Sequence, residues 1–502
     1  MLFYGLGGLS SLDLSKNLIR SLPNGSFRGL GLLDRLVLNQ GLTSISKTAF
    51  SDLSTVFSVN INKANLSQIE NYTFDRMNNL QIVTIQNSHI GTIKSKSFSS
   101  QLPFKLILQN STIDTIESYA FSNPNNFELE RSILPNSHSS SRNNYYNYSY
   151  LGIKTISPNA FDGLEKEPTL VKYHVDFSNN QLAEIKKGVL KGLDNALKID
   201  LNNNSIILIE PGAFLTLSQL EWLSLQFNEL NTLLSGTFEG LSKLQILHLH
   251  NNKINVVDGN SFKYLTSLNT LNLDSNKISN LTNSVFGHLP NLLNLYLNNN
   301  LLSSFAQGFL PSLKYLGLGF NRFFTIDSNV FFSMPSLTSL TLRGNSLADL
   351  NETGIIHNIP NLETIDIQEN NFPCTVVTRM INVFQKHRIE YAREQNVPGN
   401  AHYNGVNCIV DQGSASSIDN AKLDNFLDAL SRTNERLISL INETSQNSDL
   451  TNITNIVEQL TNLHLTLEHN HTTHTKNHQK LSHAKSSLTV FQILLIVVVV
   501  II

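Results

Sequence analysis

The chain of 502 residues has little of several features that define common protein classes. It has only two cysteines, Cys374 and Cys408, too few for a disulfide-rich small scaffold or a cysteine-based zinc site. Charged residues make up 15%, and a net charge of −3 gives no basic field for a phosphate backbone. We therefore expect no nucleic-acid binding. Because no Ser/His/Asp set, glycine-rich phosphate loop or metal-ligand cluster stands out, we also expect no enzyme activity, cofactor or metal.

What the chain does have is an internal repeat. "LEWLSLQFNELNTLLSGTFEGLSK" begins at Leu220, "LQILHLHNNKINVVDGNSFKYLTS" at Leu244 and "LNTLNLDSNKISNLTNSVFGHLPN" at Leu268. All three share the frame L-x-x-L-x-L-x-x-N with a period of 24. The same frame starts at Leu9, Leu33, Val56, Leu80, Ala196, Leu292, Leu313, Leu337 and Leu362. Recurrence at a fixed period of this length predicts a solenoid, in which neighbouring coils share one core.

This frame resembles the long, typical repeat of extracellular leucine-rich repeat proteins over residues 1 to about 410. The resemblance implies an α/β solenoid, the leucine-rich repeat horseshoe, with a parallel sheet on its concave side. The array is expected over residues 1–372, with an insertion at about 130–150 where the sequence becomes polar and rich in tyrosine. Such an insertion is either a binding loop on a rigid scaffold or a disordered excursion.

The spacing assigns structural roles to most of the repeated residues. The leucines of L-x-L point to one side of a short strand and the x residues to the other. The asparagine that follows can pair backbone groups where the chain leaves the sheet. These asparagines include Asn228, Asn252, Asn276, Asn300, Asn321 and Asn345. A phenylalanine recurs later in the coil and predicts a stacked aromatic row, made of Phe214, Phe238, Phe262, Phe286 and Phe331.

The end of the array resembles a reduced form of the cysteine-flanked cap of secreted leucine-rich repeat proteins. A cap over residues 373–410 would contain Cys374, a helical stretch with Val377, Ile381 and Phe384, and then Cys408. The family cap commonly has four cysteines. The resemblance implies a Cys374–Cys408 disulfide and an oxidising compartment. Two free thiols in a cytosolic repeat protein are the alternative.

Residues 411–485 are polar and lack the repeat frame. A spacing of four and three residues between apolar positions predicts a helical stalk, or a coiled coil that pairs two chains through residues 420–467 as a homodimer or heterodimer. The order of repeat array, two-cysteine cap and helical tail resembles the mosquito immune leucine-rich repeat proteins. Histidines cluster between His464 and His483, and we interpret this stretch as a spacer, with metal binding as the alternative.

The last residues, 488–502, form an uncharged apolar tail. Fifteen residues span about 22 Å as a helix, against a bilayer core of about 30 Å. The tail therefore predicts membrane attachment, through a GPI signal or a short transmembrane segment. At the other end, "MLFYGLGGLSSLDLSKN" shows no secretory signal, and no cap precedes the first repeat. We expect that a signal peptide and an N-terminal cap precede this sequence; an intracellular location is the alternative.

Eleven N-x-S/T sequons predict glycosylation of surface positions. None of them falls on a repeat asparagine or a core leucine. They begin at Asn24, Asn65, Asn71, Asn110, Asn147, Asn203, Asn280, Asn351, Asn442, Asn452 and Asn470.

The x residues of the strands are free of core constraints and predict a binding surface. The tryptophan of the chain, Trp222, falls there among other aromatic and apolar residues. Aromatic residues are enriched where binding energy concentrates. We define the candidate patch as Trp222, Phe227, Ile246, His248, His250, Tyr296 and Tyr315. A solvated strand face with incidental aromatic residues is the alternative.

These observations favour a cell-surface recognition or adhesion protein with extracellular repeats that binds a protein partner through its concave face. One alternative is an innate-immune or Toll-like receptor ectodomain, which would need a co-receptor because the chain shows no cytoplasmic signalling domain. Another alternative is an intracellular leucine-rich repeat scaffold.

Overall fold

The structure is a computed structural model that describes residues 3, 5–38, 40–98, 104–121, 127–130, 145–162, 172–282, 284–305, 309–393 and 401–410. All structural statements below concern these residues. The predicted stalk at 411–485, its dimerising segment at 420–467 and the apolar tail at 488–502 lie outside the described residues. Most of the predicted insertion, at 131–144, lies outside them as well.

The described array is a parallel β-solenoid in which each coil adds a strand to a main sheet. The main sheet consists of two sections, and all strands within each section are parallel. The first section contains β1 (Ser11–Asp13), β3 (Arg35–Leu38), β5 (Ser58–Asn62), β7 (Ile82–Gln86), β9 (Phe104–Gln109) and β11 (Phe127–Glu130). The second contains β12 (Tyr145–Asn147), β14 (Tyr173–Asp176), β16 (Ala196–Asp200), β18 (Trp222–Ser224), β20 (Ile246–His248), β22 (Thr270–Asn272), β23 (Asn294–Tyr296), β24 (Tyr315–Gly317), β25 (Ser339–Thr341), β26 (Thr364–Asp366) and β27 (Glu390–Tyr391).

A second parallel sheet, which the sequence did not predict, runs through the first coils. Its strands are β2 (Ser21–Leu22), β4 (Ser44–Ile45), β6 (Asn65–Ile69), β8 (His89–Ile93), β10 (Thr112–Ile116) and β13 (Thr155–Ile156). Later coils keep only short pairs here: β15 (Glu184–Ile185) with β17 (Leu208–Ile209), and β19 (Thr232–Leu233) with β21 (Val256–Val257).

The predicted solenoid and its parallel sheet are confirmed, but the described array is a β-solenoid and not an α/β solenoid. Within the described residues the α-helices are α1 (Glu352–Asn358) and α2 (Cys374–Lys386), both at the C-terminal end, with one turn of 3-10 helix at Ser328–Phe331. Elsewhere the segments between strands are successive tight turns and short strands. The coil that begins at Leu337 contains α1 in this segment, whereas the earlier coils have turns and short strands there.

The repeated leucines form one continuous core, as the spacing predicts. Leu223 and Leu225 of one coil, and Leu247 and Leu249 of the next, are fully buried. Because β18 and β20 pair in register, Leu223 lies directly beside Leu247. Each coil therefore covers the apolar side of its neighbour. This burial stabilises the array by about 25 cal/mol for each Å² of apolar surface removed from water.

The repeat asparagines pair backbone groups between and within coils, which confirms their predicted role. The Asn252 amide donates to the Leu225 carbonyl at 2.9 Å and to the Leu249 carbonyl at 3.0 Å, and its Oδ1 accepts the Leu230 N–H at 3.1 Å. In the early coils a serine takes over part of this role. Ser88 accepts the Ala64 N–H at 3.0 Å and donates to the Gln86 carbonyl at 2.6 Å.

The phenylalanine row is confirmed for four of its five predicted members. Phe214, Phe238, Phe262 and Phe286 stack with centroids 5.9–6.5 Å apart. Phe331 is also buried. A similar row runs through the first coils and includes Phe27, Phe50, Phe74, Phe98 and Phe121. Offset stacking adds to burial in each contact.

The last residues of the predicted insertion, 145–150, belong to the array. Tyr145–Asn147 form β12, which pairs with β14. Tyr148 is buried and stacks on Phe177 at 5.0 Å between centroids. Burial raises the pKa of Tyr148 well above its ordinary value. Regular coil structure therefore resumes by Tyr145, earlier than the change in composition indicates.

The C-terminal disulfide forms as the family resemblance implied. A disulfide joins Cys374, at the start of α2, to Cys408 in β29 (Val406–Cys408), which pairs with β28 (Ala401–Tyr403). The buried face of α2 includes the predicted Val377, Ile381 and Phe384.

An ion-pair network joins this cap to the last coils. Arg379 of α2 binds the buried Glu352 carboxylate, with Nε–Oε1 at 3.0 Å, and also Asp349, with Nη2–Oδ1 at 2.6 Å. The hydrogen bond with Asp349 raises the pKa of Arg379, and the hydrogen bonds with Glu352 and the negative charges of both carboxylates add to this effect.

Candidate functional site

The main sheet arranges its x residues in columns, because its strands pair in register. Trp222, Ile246, Thr270 and Asn294 occupy equivalent positions on β18, β20, β22 and β23, and Tyr315 continues the column on β24. Neighbouring strands lie about 4.8 Å apart, so side chains in one column touch. These residues share the face opposite the buried leucines, and Trp222 is only half-buried there.

Four residues of the candidate patch form one contact chain. The Trp222 indole meets the His248 imidazole with centroids 5.8 Å apart and an angle of 72°. His248 meets His250 at 5.6 Å and 86°, and His250 meets Phe227 at 5.8 Å and 74°. These edge-to-face contacts are the favoured geometry between aromatic rings. Ile246 pairs with Trp222 across the strands.

The remaining two residues of the patch form a second cluster. Tyr296 and Tyr315 lie on adjacent strands with ring centroids 4.7 Å apart. The strand Thr270–Asn272 separates Tyr296 from His248, so the two clusters are about 10 Å apart at the spacing of neighbouring strands. The predicted seven residues therefore share one face but divide into two groups.

A polar group that was left out of the predicted patch lies beside the tyrosine cluster. Asp274 accepts the Asn298 N–H at 2.6 Å, and Asn298 Oδ1 accepts the Gly319 N–H at 2.8 Å. Burial raises the pKa of Asp274 to about 6, although its hydrogen bonds with Asn298 act in the opposite direction. Burial also raises the pKa of Tyr315. Asp274 occupies an x position of its coil, and from this position it could have been predicted as part of the sheet face.

Burial also lowers the pKa values of the two histidines of the patch. It lowers the pKa of His248, and it lowers that of His250 with a further contribution from His248 itself. The Nδ1 atoms of both rings are buried and have no hydrogen-bond partner among the described residues. The neutral imidazole is therefore the favoured form of both side chains.

The backbone of Phe227 is unusual for so large a residue. From Asn180 onward the residue before each repeat asparagine has a positive φ, and most coils place asparagine, serine or glycine there, such as Asn251, Ser275 and Gly344. Phe227 has φ 54° and a side chain that is 52% exposed. Phe320, with φ 53°, is a second aromatic residue of this kind, and it was not predicted. The sequence feature that could have identified both residues is an aromatic side chain at a position where most coils place a small or polar residue.

Eight of the eleven predicted glycosylation sites lie in the described residues. Most of these asparagines are exposed, namely Asn24, Asn65, Asn110, Asn203, Asn280 and Asn351. Asn71 and Asn147 are half-buried. The Asn351 side chain caps α1 by accepting the Gly354 N–H at 3.0 Å. Asn442, Asn452 and Asn470 lie outside the described residues.

The described residues contain no group of three or more His, Cys, Asp or Glu side chains placed to hold a metal ion. In this same part of the chain, no helix has the length and apolarity needed to cross a bilayer. The histidine-rich stretch from His464 to His483 lies outside it.

The parallel coils, the asparagine ladder and the exposed strand face define a repeat solenoid of the binding-protein class. The chain is a leucine-rich repeat protein with repeats of about 24 residues. Residues 1–128 match the BspA-type leucine-rich repeat region in six copies, and residues 173–230, 218–278 and 311–372 match the leucine-rich repeat. Proteins of this repeat family are typically non-enzymatic binding proteins.

Solved structures with similarity to this chain include a chain that shares its fold. A chain of the glycosylated Toll–Spatzle complex of Drosophila is 21% identical with a TM-score of 0.52, and the match covers 79% of this chain and 53% of that one. A leucine-rich repeat protein of Leptospira interrogans is 17% identical with a TM-score of 0.44, and 76% and 95% are covered. The chain spans about half the length of the Drosophila chain that it matches. No curated protein matches the sequence.

Proposed function

We propose that this protein is a cell-surface recognition protein that binds a protein partner through the candidate patch of its main sheet. The contact chain from Trp222 through His248 and His250 to Phe227 is the observation that carries this proposal. The solenoid does not need these side chains, because its core is complete without them. A cluster of half-exposed aromatic rings matches the composition of binding hot spots.

The backbone of Phe227 gives independent support. A bulky residue in the left-handed region costs about 1–3 kcal/mol, and such strain concentrates at functional sites. Asparagine or glycine would occupy this position with less strain. A residue that lowers stability while exposing an aromatic ring is expected where that ring contributes to binding.

The Cys374–Cys408 disulfide points to an extracellular location, because such bonds persist in oxidising compartments. With the apolar tail at 488–502, it favours attachment of the protein to the outside of the cell. Treatment of intact cells with a phosphatidylinositol-specific phospholipase is expected to release the protein from a GPI anchor. Retention on the membrane would favour a transmembrane segment, and recovery in the cytosol would contradict the surface location.

The binding proposal is tested with the full chain displayed on cells. A panel of purified secreted and cell-surface proteins is screened for binding, and each binder is then measured against Trp222→Ala. We expect this variant to weaken binding at least tenfold, because it removes the largest ring of the cluster. Phe332→Ala is the matched control, since Phe332 is 76% exposed but lies outside the main sheet. Equal binding by both variants would contradict the proposal.

A second candidate is a receptor ectodomain that acts with a co-receptor in innate immunity. The specific observation in its favour is the fold shared with the Drosophila complex, which is described as a hub in development and innate immunity. This candidate predicts that a binder of the patch also recruits a signalling transmembrane protein. Co-precipitation of such a protein only in the presence of the binder would favour it over simple adhesion.

A further inference from the structure

The two histidines of the patch share an unusual environment. Each imidazole is packed between an aromatic ring and the other imidazole: His248 lies against Trp222, and His250 lies against Phe227. Their Nδ1 atoms are shielded from water and have no hydrogen-bond partner among the residues described. The arrangement suits two neutral rings. A proton added to either Nδ1 atom would place an unpaired charge in a poorly solvated position, which is costly unless the ring moves.

We propose that the His248–His250 pair is an acid-operated switch in the binding surface, in which protonation drives the two rings apart and out of contact with Trp222 and Phe227. This inference rests on the proposed function, because it concerns the control of the same surface. The partner would bind the packed, neutral arrangement, and acidification would weaken binding by removing that arrangement. Histidine is suited to this role because its ordinary pKa lies near 6.5.

None of the charged or titratable groups around the pair forms a hydrogen bond with either Nδ1 atom among the described residues. They lie on the strands to either side, and they are Lys198 and Asp200 of β16, Glu221 before β18, Asp274 after β22 and Tyr296 of β23. Asp274 follows β22 as His250 follows β20, and its Oδ1 already accepts the Asn298 N–H. On the other side, Asp200 accepts the Asn202 N–H at 3.0 Å.

The direction of the pH effect follows from the burial of each group. Burial lowers the pKa of both histidines, so below about pH 6.5 the opened state binds more protons and the packed arrangement loses stability. Asp274 acts in the opposite direction. Its pKa is raised to about 6, so its carboxyl takes up a proton in the packed state as the pH falls, and its unfavourable burial is relieved. Acidification therefore removes a negative charge from this surface and adds positive charge.

The chain carries its own reporter for this switch. Trp222 is its only tryptophan and lies against His248, so withdrawal of that ring would leave the indole more exposed to water and shift its emission to longer wavelength. We would follow the emission of the full chain from about pH 8 to about pH 5. The expected result is a shift of the emission maximum to longer wavelength in one step with its midpoint below the ordinary histidine pKa, while circular dichroism stays constant.

Two variants make this test specific. His248→Gln is expected to abolish the step, whereas the control His288→Gln, at an exposed position outside the main sheet, is expected to retain it. The proposal is overturned if the wild-type chain shows no step, if His248→Gln keeps it, or if the circular dichroism signal is lost over the same range.

Failure of the switch can be distinguished from failure of the proposed function. If the emission step depends on His248 but binders bind Trp222→Ala as tightly as the wild-type chain, the switch is retained and the proposed function is rejected. A binder that needs Trp222 yet binds equally tightly at both ends of the titration would retain the function and overturn the switch.

Discussion

At the scale of single residues, the asparagine ladder determines where each coil leaves the main sheet. One amide side chain serves three backbone groups that no strand partner reaches, as Asn252 does for Leu225, Leu230 and Leu249. An unsatisfied buried backbone group costs about 1–3 kcal/mol, so each ladder asparagine is worth more than one ordinary hydrogen bond.

Asn252→Ala is therefore expected to destabilise the chain by about 3 kcal/mol. Asn251→Gly is the matched control, because Asn251 is exposed, has φ 55° and is the immediate neighbour of Asn252. Glycine keeps that backbone conformation, so the control is expected to change stability by less than about 0.5 kcal/mol. Urea unfolding followed by circular dichroism measures both. Equal effects of the two variants would show that the ladder amide is not structural.

Phe227 gives the opposite prediction, in which stability rises and binding falls. Phe227→Asn is expected to stabilise the chain by about 1 kcal/mol, because asparagine adopts a positive φ with less strain. Loss of the contact with His250 offsets part of this gain. The midpoint of thermal unfolding measures the change. A lower midpoint would show that the ring contributes to the fold and would remove the argument from strain.

At the scale of elements, the second sheet of the first coils depends on close backbone approach. Gly91 lies in β8 opposite Ser67 of β6, and a Cβ atom built on Gly91 would lie 2.4 Å from the Ser67 carbonyl oxygen. Only glycine fits this contact without movement of one strand.

Gly91→Ala is accordingly expected to lower stability by about 1–3 kcal/mol and to loosen the pairing of β6 with β8. Gly31→Ala is the control, because no atom lies within 4 Å of its added Cβ. Hydrogen exchange at the amides of β6 and β8 measures the pairing. Unchanged protection in Gly91→Ala would contradict the account of the second sheet.

The elements also show how far the sequence could predict the structure. The leucine spacing predicted the main-sheet strands and the core, because the two faces of a strand differ in burial. It did not predict β6, β8 and β10, since their apolar residues also fit the general repeat frame. The family resemblance suggested helices between strands, but the coils use turns there. The cap helix was predictable because Val377, Ile381 and Phe384 share a helical face.

The candidate patch was predictable only in part. Strand register brings Trp222 beside Ile246 and Tyr296 beside Tyr315, and the repeat period is sufficient to obtain that register. Ring contacts, the unpartnered Nδ1 atoms and the burial of Asp274 depend on side-chain conformation, which no periodic pattern specifies.

At the scale of the whole molecule, the core and the proposed binding surface are separate. The leucines, phenylalanines and ladder asparagines hold the coils together, while the x residues of the main sheet that form the candidate patch lie outside the core. Near-neighbour contacts dominate the stability of such an array, so a change on the sheet face acts locally. Apart from a strained position such as Phe227, stability and binding are therefore expected to respond to different sets of substitutions.

The accessibility of Trp222 in the native chain tests this separation most directly. Because it is the only tryptophan, acrylamide quenching of the full chain reports on this one side chain. We predict clear quenching of the folded protein, weaker than that of free N-acetyltryptophanamide, as expected for a half-buried ring on the sheet face. Emission that acrylamide quenches only after unfolding would place Trp222 in the core and contradict the account.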